Sequence, residues 1–108
     1  MKIQWHEAAT LEFNEAALYY GAIDGDLGER FTAATEVAVA EIKALPLLAR
    51  RWDGQARKAR VRRFPFAVVY WMDGDTVNIV SVMHLHREPG YGTIECPDKV
   101  PHFRGTPY

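Results

Sequence analysis

Two groups of side chains in this sequence have the types and spacing to do acid–base or phosphate chemistry. His84, Arg87 and Tyr91 follow one another at intervals of three and four residues. The second group is a basic run that consists of Arg57, Lys58, Arg60, Arg62 and Arg63. Cleavage of RNA by attack of its own 2′-hydroxyl needs a base, an acid and positive charge on the phosphate, and these residue types could supply all three.

The carboxyl-terminal group also has a structural interpretation. His84 ends an apolar stretch and shares the parity of Val80 and Val82, so we expect a hydrogen-bonded structural histidine rather than a general base. Arg87 and Tyr91 either lock the end of the chain onto the fold or contact a target directly. The sequence alone leaves both roles open for these two residues.

The sequence predicts neither a metal site nor a cofactor. His84 and His86 would supply two imidazoles, but no third ligand lies near them. Cys96 is the only cysteine, so neither an internal disulfide nor a cysteine-based zinc site can form. No apolar run approaches the roughly 18–20 residues of a membrane span, and the first residues are too polar for a signal peptide. We therefore expect a cytoplasmic protein.

Charge is strongly segregated along the 108 residues, although the net charge is only −1. Residues 1–41 contain eight acidic and two basic side chains, whereas residues 42–63 contain eight basic side chains and one acidic one. Such a local field can attract an anionic partner even when the whole molecule is nearly neutral. Nucleic acid and an acidic protein segment are the two candidates.

These side chains must be positioned by an amino-terminal helical half and a carboxyl-terminal sheet. The alternation in Lys2–Trp5 predicts a short strand, and apolar residues at intervals of three and four predict a helix over residues 7–23. A second helix is expected to begin at a capping box of Asp26 and Glu29. Its apolar stripe extends to Leu45, and the following proline ends it. The two helices should pack antiparallel, with alanines allowing a close approach.

The pattern then changes to that of strands. Residues 47–57 are predicted to form a loop, and strands are predicted over Lys58–Phe64, Phe66–Met72 and Thr76–His84. Charges on both sides of the first of these strands are typical of a sheet edge. The last two are apolar at nearly every position, so we expect the helices to cover one sheet face and the tail or a partner to cover the other.

The predicted architecture is therefore α+β, with the order β-α-α-β-β-β and a mainly antiparallel sheet. We expect a single domain over residues 1–108, with a core of about residues 1–91 and an irregular tail over residues 92–108 that is rich in proline and glycine.

Several blocks of residues resemble, in order, the signature blocks of RelE/ParE toxins. They are Ala17–Tyr20, Leu27–Phe31, Pro46, Val61–Tyr70 and His84–Tyr91. The most specific combination is the arginine-rich strand that enters Phe64-Pro65-Phe66, followed by the pattern H-x-x-R-x-P-x-Y. The resemblance implies a toxin of a type II toxin–antitoxin system, also known as a plasmid stabilisation protein, that a cognate antitoxin neutralises. The basic run, His84, Arg87 and Tyr91 would then contact the antitoxin or the target.

The superfamily contains two activities with different chemistry. RelE-like members are ribosome-dependent mRNA endoribonucleases, for which His84, Arg87 and Tyr91 would be the catalytic candidates here. ParE-like members lack a catalytic site and bind DNA gyrase. The position of Ala67, two residues after Pro65, resembles a site that carries an arginine in mRNA-cleaving relatives. The pI of about 6.4 is also low for a ribosome-binding protein. We therefore favour the ParE-like branch, although Gly92 replaces an aromatic residue usual there. A repurposed, non-toxic protein-binding relative is a further alternative.

Overall fold

In the computed structural model, which describes residues 2–85, two helices pack on one face of a five-stranded sheet. The helices are α1 (Glu7–Ile23) and α2 (Gly25–Ala44). The strands are β1 (Lys2–Trp5), β2 (Arg50–Asp53), β3 (Ala56–Val61), β4 (Phe66–Asp73) and β5 (Thr76–His84). This arrangement confirms the predicted α+β class and helical hairpin. Within the described residues, no helix is long and apolar enough to cross a membrane.

The sheet has the order β1-β5-β4-β3-β2 and is mainly antiparallel, as predicted. Only β1 runs parallel to its neighbour, β5. The turn between β4 and β5 contains Gly74 at a φ of 61°, a conformation that favours glycine because a Cβ would be crowded. Past the part of β5 that pairs with β1, the strand bonds to Glu12 of α1 instead. The Glu12 carboxylate accepts hydrogen bonds from the Val82 N–H at 2.8 Å and the Ser81 hydroxyl at 2.9 Å. The helix thus satisfies part of an open sheet edge.

Two predictions about the basic strand are wrong. The region expected to be a loop contains β2, which pairs with β3 and places β3 inside the sheet instead of at its edge. β3 also begins earlier and ends at Val61, so Arg62 and Arg63 lie in the turn before β4. The charged residues of β2 concealed it, because an edge strand with Arg50 and Arg51 exposed shows no apolar alternation.

A β-bulge in β5 separates His84 from Val80: His84 shares the sheet face of Val82, as predicted, but not that of Val80. Val69 pairs with Ser81 but Tyr70 pairs with Ile79, so Val80 is the extra residue. As a result, Val82 packs in the core beneath the helices, whereas Val80 packs on the opposite face of the sheet. A one-residue insertion changes the side to which all following side chains point, and nothing in the alternation of apolar residues announces it.

The helices are joined by a single residue. Asp24 is the N-cap of α2, and its side chain accepts a hydrogen bond from the Asp26 N–H at 2.9 Å. The helix therefore begins before the predicted capping box of Asp26 and Glu29, and Asp24 is its N-cap instead. The helices also approach closely at a glycine pair, since a Cβ built on Gly28 would lie 2.9 Å from the Cα of Gly21.

The core between helices and sheet is organised around Phe31. Its ring is fully buried and contacts Phe13, Tyr20, Phe64 and Phe66, with ring centroids 5.2 to 5.7 Å apart. Aromatic pairs at this spacing add about 0.5–1.5 kcal/mol each beyond their burial. This cluster joins both helices to β4 and to the Phe64-Pro65-Phe66 turn, and so fixes the turn that carries Arg62 and Arg63.

The second sheet face has a smaller apolar cluster. Trp52 and Trp71 pack against a set of buried residues, namely Ala56, Val69, Val80 and Met83. We expected the tail or a partner to cover this face; among residues 2–85 the two tryptophans do so in part, and the tail lies outside the described residues.

The glycine contact between the helices can be tested by comparing two substitutions. Gly28→Ala should lower the free energy of unfolding by about 1–3 kcal/mol, because the new methyl group meets the backbone of α1. Gly21→Ala is the matched control: a Cβ there has nothing within 4 Å, and alanine favours a helix by about 1 kcal/mol. Urea unfolding of both variants measures the difference. Equal stability of the two would show that the helices do not meet at this point.

Candidate functional site

Most of the predicted basic residues line one groove. It lies between the carboxyl end of α2, the segment over residues 45–49, and β3 with the turn that follows it, and its volume is about 560 Å³. The residues that line it are Glu41, Ile42, Leu45, Leu48, Ala49, Lys58, Ala59, Arg60, Arg62, Arg63 and Tyr70. Four of these side chains are cationic and one is acidic, so the groove is suited to an anionic partner.

The groove has an apolar floor and an apolar rim. Ile42 and Tyr70 are buried beneath it, whereas Leu45 and Leu48 are 59% and 75% exposed at its side. The prediction that Leu45 continues the core stripe of α2 is therefore wrong, because α2 ends at Ala44 and the chain turns away. Exposed leucines next to a concave surface are typical of sites that bind another protein. The sequence signal for this was Leu45-Pro46-Leu47-Leu48, an apolar run in a predicted loop.

Two side chains of the sheet hold the segment over residues 45–49, here called the leucine segment, in place through hydrogen bonds. Arg57 of β3 donates from Nη1 to the carbonyl oxygens of Leu47 at 3.1 Å and Ala49 at 2.8 Å. The Tyr70 hydroxyl of β4 donates to the carbonyl oxygen of Pro46. Arg57, which we predicted as a binding residue, therefore supports the wall of the groove, and its Nη1 already donates two hydrogen bonds there. Tyr70 is not among the predicted binding residues, since a tyrosine in an apolar strand is usually a core residue.

The four cationic side chains that line the groove differ in the contacts that they make. Arg60 and Arg63 are exposed and form no ion pair with any side chain in residues 2–85. Arg62 is held by Glu41 at 3.4 Å, and the Lys58 ammonium lies 5.3 Å from the centre of the Trp52 ring. Arg63 has a φ of 72°, a left-handed conformation that costs a residue with a Cβ about 1–2 kcal/mol. Such strain at an exposed arginine is often found at functional sites.

Of the other predicted group, His84, Arg87 and Tyr91, only His84 lies within the described residues. His84 pairs with Phe66 in the sheet and packs edge-on against its ring, with centroids 4.9 Å apart. It does not line the groove. Arg87 and Tyr91, like His86, lie outside the described residues, so their predicted roles beside His84 stay predictions. Within residues 2–85, no three His, Cys, Asp or Glu side chains converge in a way that would hold a metal ion.

Because Arg57 holds two carbonyl oxygens of the segment over residues 45–49, we predict that it contributes to stability and that Arg60 does not. Arg57→Ala should lower the free energy of unfolding by about 1–3 kcal/mol, because two backbone carbonyls lose a charged donor. Arg60→Ala, the control in the same strand, should change it by no more than about 0.5 kcal/mol. Denaturant titration of both variants gives the comparison, and an Arg57→Ala variant as stable as Arg60→Ala would contradict the anchoring role.

Because the pKa of the Tyr70 hydroxyl is raised in the folded protein, we predict that the protein loses stability in alkali. Burial raises the pKa of its hydroxyl, an effect that the nearby Arg57 guanidinium partly offsets, and burial together with Tyr19 also raises the pKa of Tyr20. For an acid whose pKa is raised on folding, the stability contribution is complete below about pH 10 and is lost as the pH rises through the folded value. Stability should therefore fall above about pH 10. The fall should be smaller in Tyr70→Phe, which retains only the Tyr20 contribution and is also about 1 kcal/mol less stable at neutral pH. An identical alkaline fall in both proteins would exclude Tyr70 as its source.

Comparison with known proteins gives a match in structure but not in sequence. No family model matches the chain, and no curated protein matches it. A chain from the chromosomal ParDE TA system of P. aeruginosa has a TM-score of 0.57 and 20% sequence identity, with 79% of this chain and 96% of that chain covered. The YoeB/ParE toxin from Agrobacterium tumefaciens has a TM-score of 0.55 and 13% identity, with 78% and 98% covered. The predicted RelE/ParE-like fold is therefore confirmed.

Proposed function

We propose that this chain is the toxin of a type II toxin–antitoxin pair and that its groove is the surface that binds the antitoxin. The observation that carries the proposal is the combination of exposed Leu45 and Leu48 with Arg60 and Arg63, which have no described ion-pair partner. A monomer gains nothing by exposing these groups together, whereas an acidic, amphipathic segment would bury the leucines and pair with the arginines. The fold supports this function, because the two structural neighbours named above are a chain of a toxin–antitoxin system and a toxin.

We further propose that the toxin acts in the cytoplasm by binding a target, DNA gyrase in the first place, and not by cleaving mRNA. Two observations support this choice. Ala67, at the position where an arginine would clamp phosphate, is 1% exposed and carries no functional group. His84 packs against Phe66, and the basic groove does not include it. We assign the whole function to one domain of residues 1–108.

Expression and in vitro assays test the toxin activity. Induction of the chain alone should arrest growth, co-expression with the product of the adjacent short reading frame should restore it, and the purified chain should inhibit gyrase supercoiling. Ribosome-dependent, codon-specific mRNA cleavage that is lost in Arg87→Ala, with gyrase unaffected, would establish the RelE-like alternative. Normal growth with abundant folded protein would favour the repurposed relative.

Charge reversal tests the groove. Arg60→Glu should weaken binding of the adjacent-frame product by about 5- to 20-fold, because a rim charge then repels an acidic segment. Arg50→Glu is the matched control, since this arginine is also exposed but lies on β2 outside the groove. Isothermal titration calorimetry of both variants measures the affinities. Equal weakening by the two substitutions would mean that only net charge matters, and the groove would lose its role as the binding surface.

A further inference from the structure

The mouth of the groove is crossed by one ion pair. Arg62, in the turn after β3, donates from Nη2 to Oε2 of Glu41 on α2 at 3.4 Å, and the two side chains are 73% and 58% exposed. Among residues 2–85, Glu41 is the only acidic residue that lines the groove. The molecule therefore already holds a carboxylate of its own at the position where an acidic partner would be attracted.

This ion pair is weak enough to be exchanged. Exposed pairs contribute little in water, because solvent screens them and two long side chains must be held in one geometry. The 3.4 Å separation is also longer than the 2.7–2.9 Å that is usual for a charge-assisted hydrogen bond. A carboxylate that approached Arg62 with better geometry, and that was fixed by neighbouring contacts, would therefore displace Glu41.

The groove favours a protein segment over a nucleic acid as the source of that carboxylate. Single-stranded nucleic acid is typically bound by aromatic rings on which bases stack. Within the part of the chain that the structure describes, the only aromatic residue that lines this groove is Tyr70, whose ring is fully buried and whose hydroxyl is bonded to Pro46. By contrast, Leu45 and Leu48 beside the arginines match apolar side chains that alternate with acidic ones.

We propose that the partner binds through an acidic amphipathic segment whose carboxylate replaces that of Glu41 on Arg62 while its apolar side chains cover Leu45 and Leu48. Glu41 is then an internal competitor that lowers the affinity of the groove and favours segments with a well-placed acid. The partner's identity as an antitoxin rests on the proposed function, but the exchange at Arg62 is a property of the groove itself.

Titration of the full chain with two synthetic peptides tests the exchange. Both are amidated peptides of roughly 12 residues, about three helical turns, one repeating Leu-Glu-Glu-Leu and the other Leu-Gln-Gln-Leu. The acidic peptide should bind Glu41→Gln about 2- to 5-fold more tightly than the native chain, as expected from removing a weak exposed pair. The glutamine peptide should bind both proteins equally. Glu36→Gln is the matched control, because Glu36 is an exposed acid of the same helix outside this groove, and its substitution should leave the affinity nearly unchanged.

Three results would overturn the proposal. Equal gains in Glu41→Gln and Glu36→Gln would reflect net charge alone. If Glu41→Gln still raised the affinity for the acidic peptide when it was introduced into the Arg62→Gln variant, Arg62 would not be the site of exchange. Competition by a single-stranded RNA oligonucleotide that outperforms the acidic peptide would assign the groove to nucleic acid. Growth arrest and gyrase assays are independent of these titrations, so a non-toxic chain that shows the Glu41 gain would refute the toxin function and leave this inference intact.

Discussion

The attachment of the leucine segment to the sheet is the constraint on which the site depends. After α2 ends, the chain must reach β2, and it does so across the ends of β3 and β4. Arg57 and Tyr70 donate hydrogen bonds to three carbonyl oxygens of this connection, those of Pro46, Leu47 and Ala49. These bonds satisfy backbone groups that would otherwise need water. They also hold the leucine side chains away from the core, and the space left between the segment and β3 is the groove.

The groove joins the two halves of a charge-segregated chain. The acidic amino-terminal half forms the helical hairpin, and the basic stretch forms β2, β3 and the turn before β4. Phe31 and its aromatic neighbours bring these halves together, so the basic side chains end up beside the carboxyl end of α2. Glu41 is the point at which the acidic half meets the basic one. The electrostatic character of the site is thus a consequence of how the helices dock on the sheet.

Local periodicity predicted most of the elements, because β1, both helices and the strands that include residues 66–72 and 76–84 repeat apolar residues at regular intervals. It could not predict features that depend on long-range hydrogen bonds. The β-bulge at Val80 is a property of pairing between β4 and β5, and β2 exists because β3 offers it a ladder. The basic run is predicted from the sequence to bind a partner, but its division into a structural Arg57 and exposed Arg60 and Arg63 depends on where the segment over residues 45–49 lies.

The account holds that a preformed groove, and no other described surface, receives the partner. Amide hydrogen exchange of the full chain, free and in complex with the product of the adjacent reading frame, measures this most directly. We predict that protection on binding is concentrated in residues 41–49 and 57–63, with little change along the outward surfaces of α1 and the first half of α2. Protection concentrated on those helices, with the groove unaffected, would contradict the account.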